Sequence, residues 1–377
     1  MVPYAETLHA YKCNDVPPRR RLEDFYDLQR DVLGRGHFAV VRRARCRRTD
    51  TCVAIKTIKR LLADPTRLRA EIAVLRRVQP HQNIVELLDV FETTREVHLV
   101  LELCTGGELF ERLATKGAYA EDECVRHVRD MARAVQYLHE YGSSQVGKGQ
   151  ANKGGRIDAG VWTCDSVHRD LKPENILLST ADEHEAVVKV ADFGLAKVLL
   201  VGTKLTTKCG TWGYSAPEMI SGSDATFGYD DKVDSWSLGS ILYILLCGYH
   251  PFDPKGDSSD NELIANIKAC KFQFHDDAGW ASISHGAKDL VRHLLVLDPD
   301  RRFTMNQVLE HPWLTTSFSS VPQRSLSSTS QYELRARDRE HTKHKAACGF
   351  HDDRNDEDEC VGTSDSAASQ EDADATM

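Results

Sequence analysis

The stretch that decides the fold of this chain is His168-Arg169-Asp170-Leu171-Lys172-Pro173-Glu174-Asn175. It places an acid, a cation and an amide within one short loop: Asp170, Lys172 and Asn175. Seventeen positions after the amide, the chain reads Asp192-Phe193-Gly194. The amide and this second acid offer the hard oxygen ligands that Mg²⁺ prefers. A helix-capping Asp and a turn Asn would be a purely structural interpretation, but that interpretation does not account for the whole string.

A glycine turn lies between two strand-like runs near the start of the chain, in the stretch Leu33-Gly34-Arg35-Gly36-His37-Phe38-Ala39-Val40-Val41. Two glycines let backbone N–H groups approach phosphates closely. The alternative is a tight hairpin that needs glycine for a positive φ. Ala39 also stands where the third glycine of G-x-G-x-x-G is expected. The turn is therefore weak evidence until the motifs that follow it are considered.

A lysine ends the next apolar strand, Val53-Ala54-Ile55-Lys56. Fifteen residues further on, Glu71 lies on one face of a segment with helical periodicity, residues 68–78. An ion pair between the two would orient the amine. Alone, each would be interpreted as a solvated surface charge, and only the ordered series of motifs favours the functional interpretation.

Ala216-Pro217-Glu218 closes the segment that Asp192 opens. The carboxylate there is expected to need a buried cationic partner. Arg302, in Asp298-Pro299-Asp300-Arg301-Arg302-Phe303, is the candidate. Two unrelated surface charges are the alternative.

The bulk properties fit a globular protein with a large core and no framework of disulfides. The chain has 377 residues, of which 41% are hydrophobic and 28% are charged. A net charge of −9 argues against a general nucleic-acid binder. We expect no secretory signal and no membrane span, because the longest apolar run is well short of the ~20 residues that a span needs. The eleven cysteines form no C-x-x-C pairs, so reduced thiols in a cytosolic setting are expected.

The chain divides into an arm, a compact region and a tail. Residues 1–25 are polar and are predicted to be a flexible arm. The compact region is predicted to have a β-rich first part with one main helix (26–101), a connection called the hinge (102–107) and a mostly helical second part (108–314). Within these parts we predict a strand over residues 84–89 and a helix over residues 121–141. Residues 315–377 are Ser/Thr-rich and then acidic, and they are predicted to be disordered.

These motifs resemble those of the eukaryotic protein kinases, over about residues 25–314. The resemblance implies an α+β, bilobal protein-kinase fold that binds ATP and Mg²⁺ between its lobes. Lys172 and Thr211 match the serine/threonine class. Within that class the chain resembles the calcium/calmodulin-dependent kinases, and type I most of all. Three stretches carry that likeness: Gly106 to Phe110, Cys247 to Phe252, and Asp298 to Leu314.

The resemblance also implies a role for each candidate site residue. Asp170 accepts or orients the proton of the substrate hydroxyl, Lys172 neutralises charge, and Asn175 with Asp192 binds the metal. Thr207 is the phosphorylation position of the activation loop, for an upstream kinase, with Thr206 and Thr203 as alternatives. Glu108 and Glu174 suggest protein substrates with basic residues upstream of the acceptor. The nucleotide-binding residues are Leu33, Gly34, Gly36, Val41, Ala54, Lys56, Glu71, Glu102, Cys104, Glu108, Leu177 and Asp192.

Two departures from the family pattern leave alternatives open. Residues 143–166 are a Gly-, Lys- and Ser-rich insert ahead of the catalytic loop, either a tolerated surface loop or a retained intron in the gene model. Trp212 replaces the usual proline. Both features keep a second function open, a pseudokinase or scaffold with impaired turnover.

The tail bears on partners and location. Calmodulin is a possible partner of residues 332–350, but their apolar anchors are sparse, and a solvated linker is the favoured interpretation. We expect a cytoplasmic, intracellular protein, with a nuclear location left open.

Overall fold

The structure is a computed structural model. It describes residues 20–36, 39–63, 65–116, 119–146, 168, 171–192, 211–221, 231–275 and 279–316. Within these ranges, the side chains of residues 66, 67, 70, 71, 116, 141–146 and 211 lie outside the description.

The first part of the compact region is a five-stranded antiparallel sheet in the order β1-β2-β3-β5-β4, with one helix of thirteen residues. Its elements are β1 (Tyr26–Arg35), β2 (Ala39–Cys46), β3 (Cys52–Lys59), α1 (Pro65–Arg77), β4 (Leu87–Glu92) and β5 (Glu96–Glu102). Side chains alternate along β3 because successive residues of a strand point to opposite faces. Val53 and Ile55 join a small cluster on one face, and Ile58 joins the main core with Leu68 and Ile72 of α1. Ala54 and Lys56 therefore share the face that looks toward α1.

The second part is mostly helical. Its helices are α2 (Leu109–Lys116), α3 (Glu121–Val146), α4 (Pro217–Ser221), α5 (Lys232–Cys247), α6 (Asp260–Lys268), α7 (His285–Leu294), α8 (Met305–Glu310) and α9 (Pro312–Thr315). Helix α5 is the centre, since every residue from Val233 to Cys247 is buried. A helix that is apolar on all sides belongs in the middle of a domain. It ends at Gly248, which takes the left-handed conformation that glycine adopts at little cost (φ 84°).

A small antiparallel hairpin, β6 (Ile176–Leu178) and β7 (Val188–Val190), lies beneath the sheet. Its central apolar residues, Ile176, Leu178, Val188 and Val190, are fully buried. The hairpin carries the end of the catalytic-loop stretch into β6 and leads out of β7 toward Asp192. It is therefore the element that brings two distant motifs together.

Several predicted bounds were wrong by a few residues. The strand expected over residues 84–89 is β4, Leu87–Glu92, because the backbone before it bonds elsewhere: Val85 N donates to Val190 O at 3.0 Å. Helix α3 was expected to end at Tyr141, but it continues to Val146 and so enters the predicted insert 143–166.

The end of the predicted flexible arm is packed against the sheet. Leu22 is buried at 3% exposure, and it starts a short 3-10 helix, Leu22–Asp24. Arg20 donates to Asp89 at 2.8 Å. Residues 20–25 were expected to be flexible, and this part of the prediction is wrong because an apolar side chain and an ion pair dock them on the sheet. The ordered region thus begins before residue 26.

None of the helices in the described ranges combines the length and the apolar character that a membrane crossing requires.

Candidate active site

Lys56 of β3 and Asp192 form an ion pair across the two parts of the molecule. Lys56 Nζ lies 2.5 Å from Asp192 Oδ1, and the lysine side chain is only 17% exposed. The pairing follows from strand alternation, which turns Lys56 to the face that looks toward the hairpin. The structure thus joins the lysine motif to the second acidic motif, which are 136 residues apart in the chain.

The environment of Asp192 favours its charged form. Burial by itself would raise the pKa of this carboxyl. The charge and hydrogen bond of Lys56 act in the opposite direction, with smaller contributions from Lys172 and His168, and the pKa lies below its ordinary value. Asp192 also has a positive φ of 59°, a conformation that Asp tolerates better than most residues. An ionised carboxylate is the form that binds a divalent cation.

The hairpin places Asn175 beside the residue before Asp192. Ile176 of β6 pairs with Val190 of β7, and Ala191 N donates to Asn175 O at 2.8 Å. Asn175 is buried at 4% exposure and Lys172 is half-buried. The oxygen-donating motifs therefore converge at one end of the hairpin, and their donor set fits Mg²⁺.

Asp234 holds the start of the catalytic-loop stretch, a role that sequence analysis missed. Its carboxylate is fully buried in the first turn of α5. Asp234 Oδ2 accepts a hydrogen bond from His168 N at 2.8 Å, and His139 Nε2 lies 2.8 Å from the same oxygen. The signal was present in the sequence, since a lone carboxylate in an otherwise apolar helix needs a buried partner.

Neither the backbone conformation nor the packing at Gly34 and Gly36 requires glycine. Neither Gly34 nor Gly36 has a positive φ, and a Cβ at Gly34 would meet nothing within 4 Å. The register places Gly34 opposite Val41, and Gly36 N donates to Ala39 O at 2.8 Å. The hairpin alternative explained glycine by a positive φ, and the backbone of Gly34 and Gly36 does not support that explanation. Close approach of a ligand to these glycines stays a prediction. Leu33 precedes the turn in β1 and is exposed.

The predicted adenine-binding residues lie along neighbouring strands. Ala54 is paired with Leu101, and Val41 is paired with Lys56. Leu177 belongs to β6, where it bridges to Glu108 at the start of α2. The sheet and the hairpin thus contribute one side each, as expected for a cleft between two lobes.

An ion pair links the end of β5, where the connection 102–107 begins, to β7. Glu102 Oε1 accepts a hydrogen bond from Lys189 of β7 at 2.7 Å, a contact that sequence analysis did not predict. Burial raises the pKa of the nearby Cys104 thiol to about 12, and the Glu102 charge adds to that shift. Cys104 is therefore a neutral thiol at physiological pH.

The predicted partners Glu218 and Arg302 are in contact. Arg302 Nη1 and Nη2 donate to the two Glu218 oxygens at 2.8 and 3.2 Å. The arginine side chain is fully buried and also donates to the carbonyls of Val296 and Lys232. This bidentate pair anchors the end of the segment that Asp192 opens.

Three predicted site residues lie wholly or partly outside the description. Asp170 and Thr207 are outside the described residues. Glu71 has its backbone in α1, but its side chain is outside the description. The predicted Lys56–Glu71 pair therefore stays a prediction.

One group of potential metal ligands lies at α7 and the start of α9: Asp289, His293 and His311 have ligand atoms within 4.8 Å of one another. His311 Nδ1 accepts a hydrogen bond from Trp313 N at 3.3 Å, so the proton of the neutral ring sits on Nε2 and faces Asp289. A metal at Nε2 would require the proton to move to Nδ1, opposite another N–H. His311 is therefore the hydrogen-bonded N-cap of α9.

The family model described as "Protein kinase domain" matches residues 28–147 and 158–314. It thus leaves ten residues, 148–157, between its two matched stretches.

Two curated relatives have equal identity to this chain. Human calcium/calmodulin-dependent protein kinase type IV is 41% identical over 302 residues, 80% of this chain and 56% of the relative. The type 1 kinase of Macrobrachium nipponense is 41% identical over 303 residues, 80% of this chain and 78% of the relative. The likeness to type I over other types therefore stays a prediction. The chain spans only 56% of the type IV kinase.

A solved structure of the Caenorhabditis elegans twitchin kinase region has the same fold. Its TM-score is 0.68 at 33% identity, and the match covers 87% of this chain and 52% of that one. The family model and this structure agree with the two-part architecture. The chain belongs to the protein kinase family, in its calcium/calmodulin-dependent kinase group.

Proposed function

We propose that residues 26–314 are an ATP- and Mg²⁺-dependent serine/threonine protein kinase domain. The observation that carries the proposal is the ion pair between Lys56 and Asp192. It holds a phosphate-binding cation beside a carboxylate whose pKa is lowered, at the meeting point of the sheet and the hairpin. Phosphoryl transfer depends mainly on positioning and on charge neutralisation, and this arrangement supplies both.

Each residue has a defined task in this proposal. Lys56 contacts the α- and β-phosphates, and Asp192 with Asn175 would hold Mg²⁺. When bound, the metal neutralises the charge of the phosphate oxygens. Asp170 accepts the proton of the substrate hydroxyl, and Lys172 neutralises charge on the transferred group. The buried carboxylate of Asp234 supports this loop by fixing the backbone of His168.

The substrates in this proposal are proteins with Arg or Lys upstream of the acceptor Ser or Thr. Glu108 precedes α2 at its bridge to the hairpin, and Glu174 belongs to a short 3-10 helix next to Lys172. Carboxylates on both sides of the catalytic loop favour cationic peptides. Paired peptides that differ only in Arg or Glu upstream of one serine test this preference, and equal rates on the two would contradict it.

Transfer of ³²P from γ-labelled ATP to a basic peptide tests the proposed activity. The full chain is expected to label the peptide at a rate that falls by at least about a hundredfold in Asp170→Asn, because a positioned proton acceptor contributes that much or more. Equal labelling by the two proteins would instead support the pseudokinase alternative. A variant that lacks residues 148–157 then shows whether the insert limits turnover.

Thr207 is proposed as the activating phosphosite, where a phosphate could pair with Arg169. Phosphatase treatment should lower the activity of the chain, and Thr207→Ala should reproduce that lower activity. Unchanged activity in both experiments would remove Thr207 from the proposal.

A further inference from the structure

One carboxylate oxygen joins three separate elements behind the predicted adenine site. Glu102 Oε1, at the end of β5, accepts hydrogen bonds from Lys189 Nζ at 2.7 Å and from Glu86 N at 2.8 Å. The Lys189 and Glu102 side chains are only 15% and 25% exposed. A partly buried, charge-assisted hydrogen bond is stronger than an exposed surface pair.

The residues just before Glu86 bind the free edge of β7. Val190 N donates to Asn83 O at 2.9 Å, and Val85 N donates to Val190 O at 3.0 Å. The Asn83 side chain also donates to Val188 O at 3.1 Å. Strand β7 is thus held between β6 and residues 83–85, and the Lys189 side chain adds a link to the end of β5.

These links close a circuit through the Lys56–Asp192 ion pair. Strand β3 carries Lys56 and is paired with β5, with Val53 opposite Glu102. Glu102 binds Lys189 of β7, and β7 leads through Ala191 to Asp192. Asp192 then contacts Lys56 at 2.5 Å. Because the circuit is closed, a change in the Glu102–Lys189 contact alters where Asp192 sits relative to Lys56.

We propose that Lys189 is a positioning residue: it links the start of the hinge to β7 and so keeps Asp192 at its position beside Lys56. Its ion pair with Glu102 is the latch of this arrangement. The inference rests on the proposed function, because it concerns the group that would hold Mg²⁺ with ATP. Loss of the latch should weaken metal-nucleotide binding and leave peptide binding unchanged, since the peptide does not depend on Asp192.

The test uses the full chain with Lys189→Met, Lys189→Arg and Glu102→Gln. In Lys189→Met, the Mg²⁺ concentration for half-maximal activity should rise about tenfold, the effect of one charged hydrogen bond of about 1.4 kcal/mol. The KM for peptide should not change. Hydrogen exchange at the Glu86 amide should accelerate, because that N–H donates to the oxygen that Lys189 holds. In Lys189→Arg, the Mg²⁺ concentration for half-maximal activity should return most of the way to that of the unchanged chain. In Glu102→Gln, it should lie between the values of the unchanged chain and of Lys189→Met.

Arg20→Met is the matched control. It removes an ion pair of similar length, Arg20–Asp89 at 2.8 Å, which lies within the sheet region alone. Its Mg²⁺ dependence should equal that of the unchanged chain. The latch is wrong if Lys189→Met keeps a normal Mg²⁺ dependence and normal Glu86 exchange, or if Lys189→Arg is as impaired as Lys189→Met.

The two proposals can fail separately. If the unchanged chain has no activity, the proposed function fails. Binding of a fluorescent ATP analogue with Mg²⁺, together with Glu86 exchange, then still tests the latch. If the chain is active and these two readouts are the same in Lys189→Met, only the latch is overturned.

Discussion

At the scale of single residues, the site depends on a few charges whose partners come from distant parts of the chain. Lys56 and Asp192 meet across the two lobes, and Arg302 meets Glu218 beneath them. Neighbouring sequence shows none of these pairings directly. The order of the motifs suggested the pair Glu218–Arg302, whereas the sequence signal for Asp234, a lone carboxylate in an apolar helix, did not identify His168 as its partner.

The Lys56–Asp192 pair predicts a specific acid sensitivity. Because the pKa of Asp192 is lowered from 3.8, its contribution to stability is present above that value and is lost as pH falls through the lower folded-state pKa. Asp192→Asn lacks this group, so its free energy of unfolding should fall less steeply as the pH decreases below about 4. Urea unfolding at a series of pH values measures both slopes, and identical slopes would contradict the assignment.

Asp234 should matter for both stability and rate. Asp234→Ala leaves the His168 N–H without its acceptor in a buried site, which should cost about 1–3 kcal/mol. Asp234→Asn keeps an acceptor and should lose less stability, while its activity falls because the loop is less firmly placed. Denaturant unfolding and the peptide assay measure these effects.

Asp231→Asn is the control, since that residue lies 3.6 Å from His139 and is 36% exposed. If it lost as much stability as Asp234→Asn, the special role of Asp234 would be wrong.

At the scale of elements, the approach of the hinge to the β6–β7 hairpin defines the cleft. Gly106 N donates to Leu178 O at 3.0 Å, and Leu178 N donates to Gly107 O at 2.9 Å. This backbone-to-backbone contact leaves no space for a side chain at Gly106, where a Cβ would lie 2.6 Å from Leu178 Cβ and against Thr180 O. Here glycine is required by packing, whereas at Gly34 it is not.

A pair of glycine substitutions separates these two reasons. Gly106→Ala should lose about 1–3 kcal/mol of stability, the usual cost of overpacking, and should weaken ATP binding as the hinge shifts. Gly34→Ala should keep its stability, because the added Cβ meets nothing within 4 Å, and yet should raise the KM for ATP. Thermal unfolding and ATP titration measure the two effects. A destabilised Gly34→Ala with normal ATP binding would favour the hairpin interpretation of that glycine.

Element bounds followed hydrophobic periodicity well where a helix has one apolar face. The periodicity failed at β4, where residues 83–85 bond to β7 and not to β5. Leu22 likewise packs against the sheet, and this tertiary contact buries it. Hydrophobic periodicity depends only on residues that are neighbours in the chain, so it does not predict contacts between distant residues. The predicted starts of β4 and of the compact region were wrong for this reason.

At the scale of the whole molecule, the charge is unevenly distributed. Residues 352–374 contain ten acidic residues and one basic residue, which leaves 47 of the 57 acidic and 47 of the 48 basic residues elsewhere. Residues 352–374 therefore account for the net charge of −9, and residues 1–351 are formally neutral. The net charge of the whole chain thus reflects the end of the tail more than it reflects the domain.

A chain that ends at Thr316 should keep the kinase activity and the melting temperature of the full chain, because residues 317–377 offer few apolar side chains that could pack on the domain. We also expect Ca²⁺-calmodulin neither to bind nor to activate the full chain, since residues 332–350 lack regular apolar anchors. Calorimetric titration and the peptide assay check both points. Calmodulin binding to the full chain that disappears on truncation would overturn the second expectation.

The sequence by itself determined the family, the two-part architecture and the catalytic motifs, because each motif is a short string whose residue types the chemistry demands. The tertiary structure alone decided the pairings: Asp192 with Lys56, Asp234 with His168, and Lys189 with Glu102. A single buried contact between distant residues produces no periodicity and no local motif. Its energy comes from desolvation and hydrogen bonding in the folded state, and only the folded chain shows it.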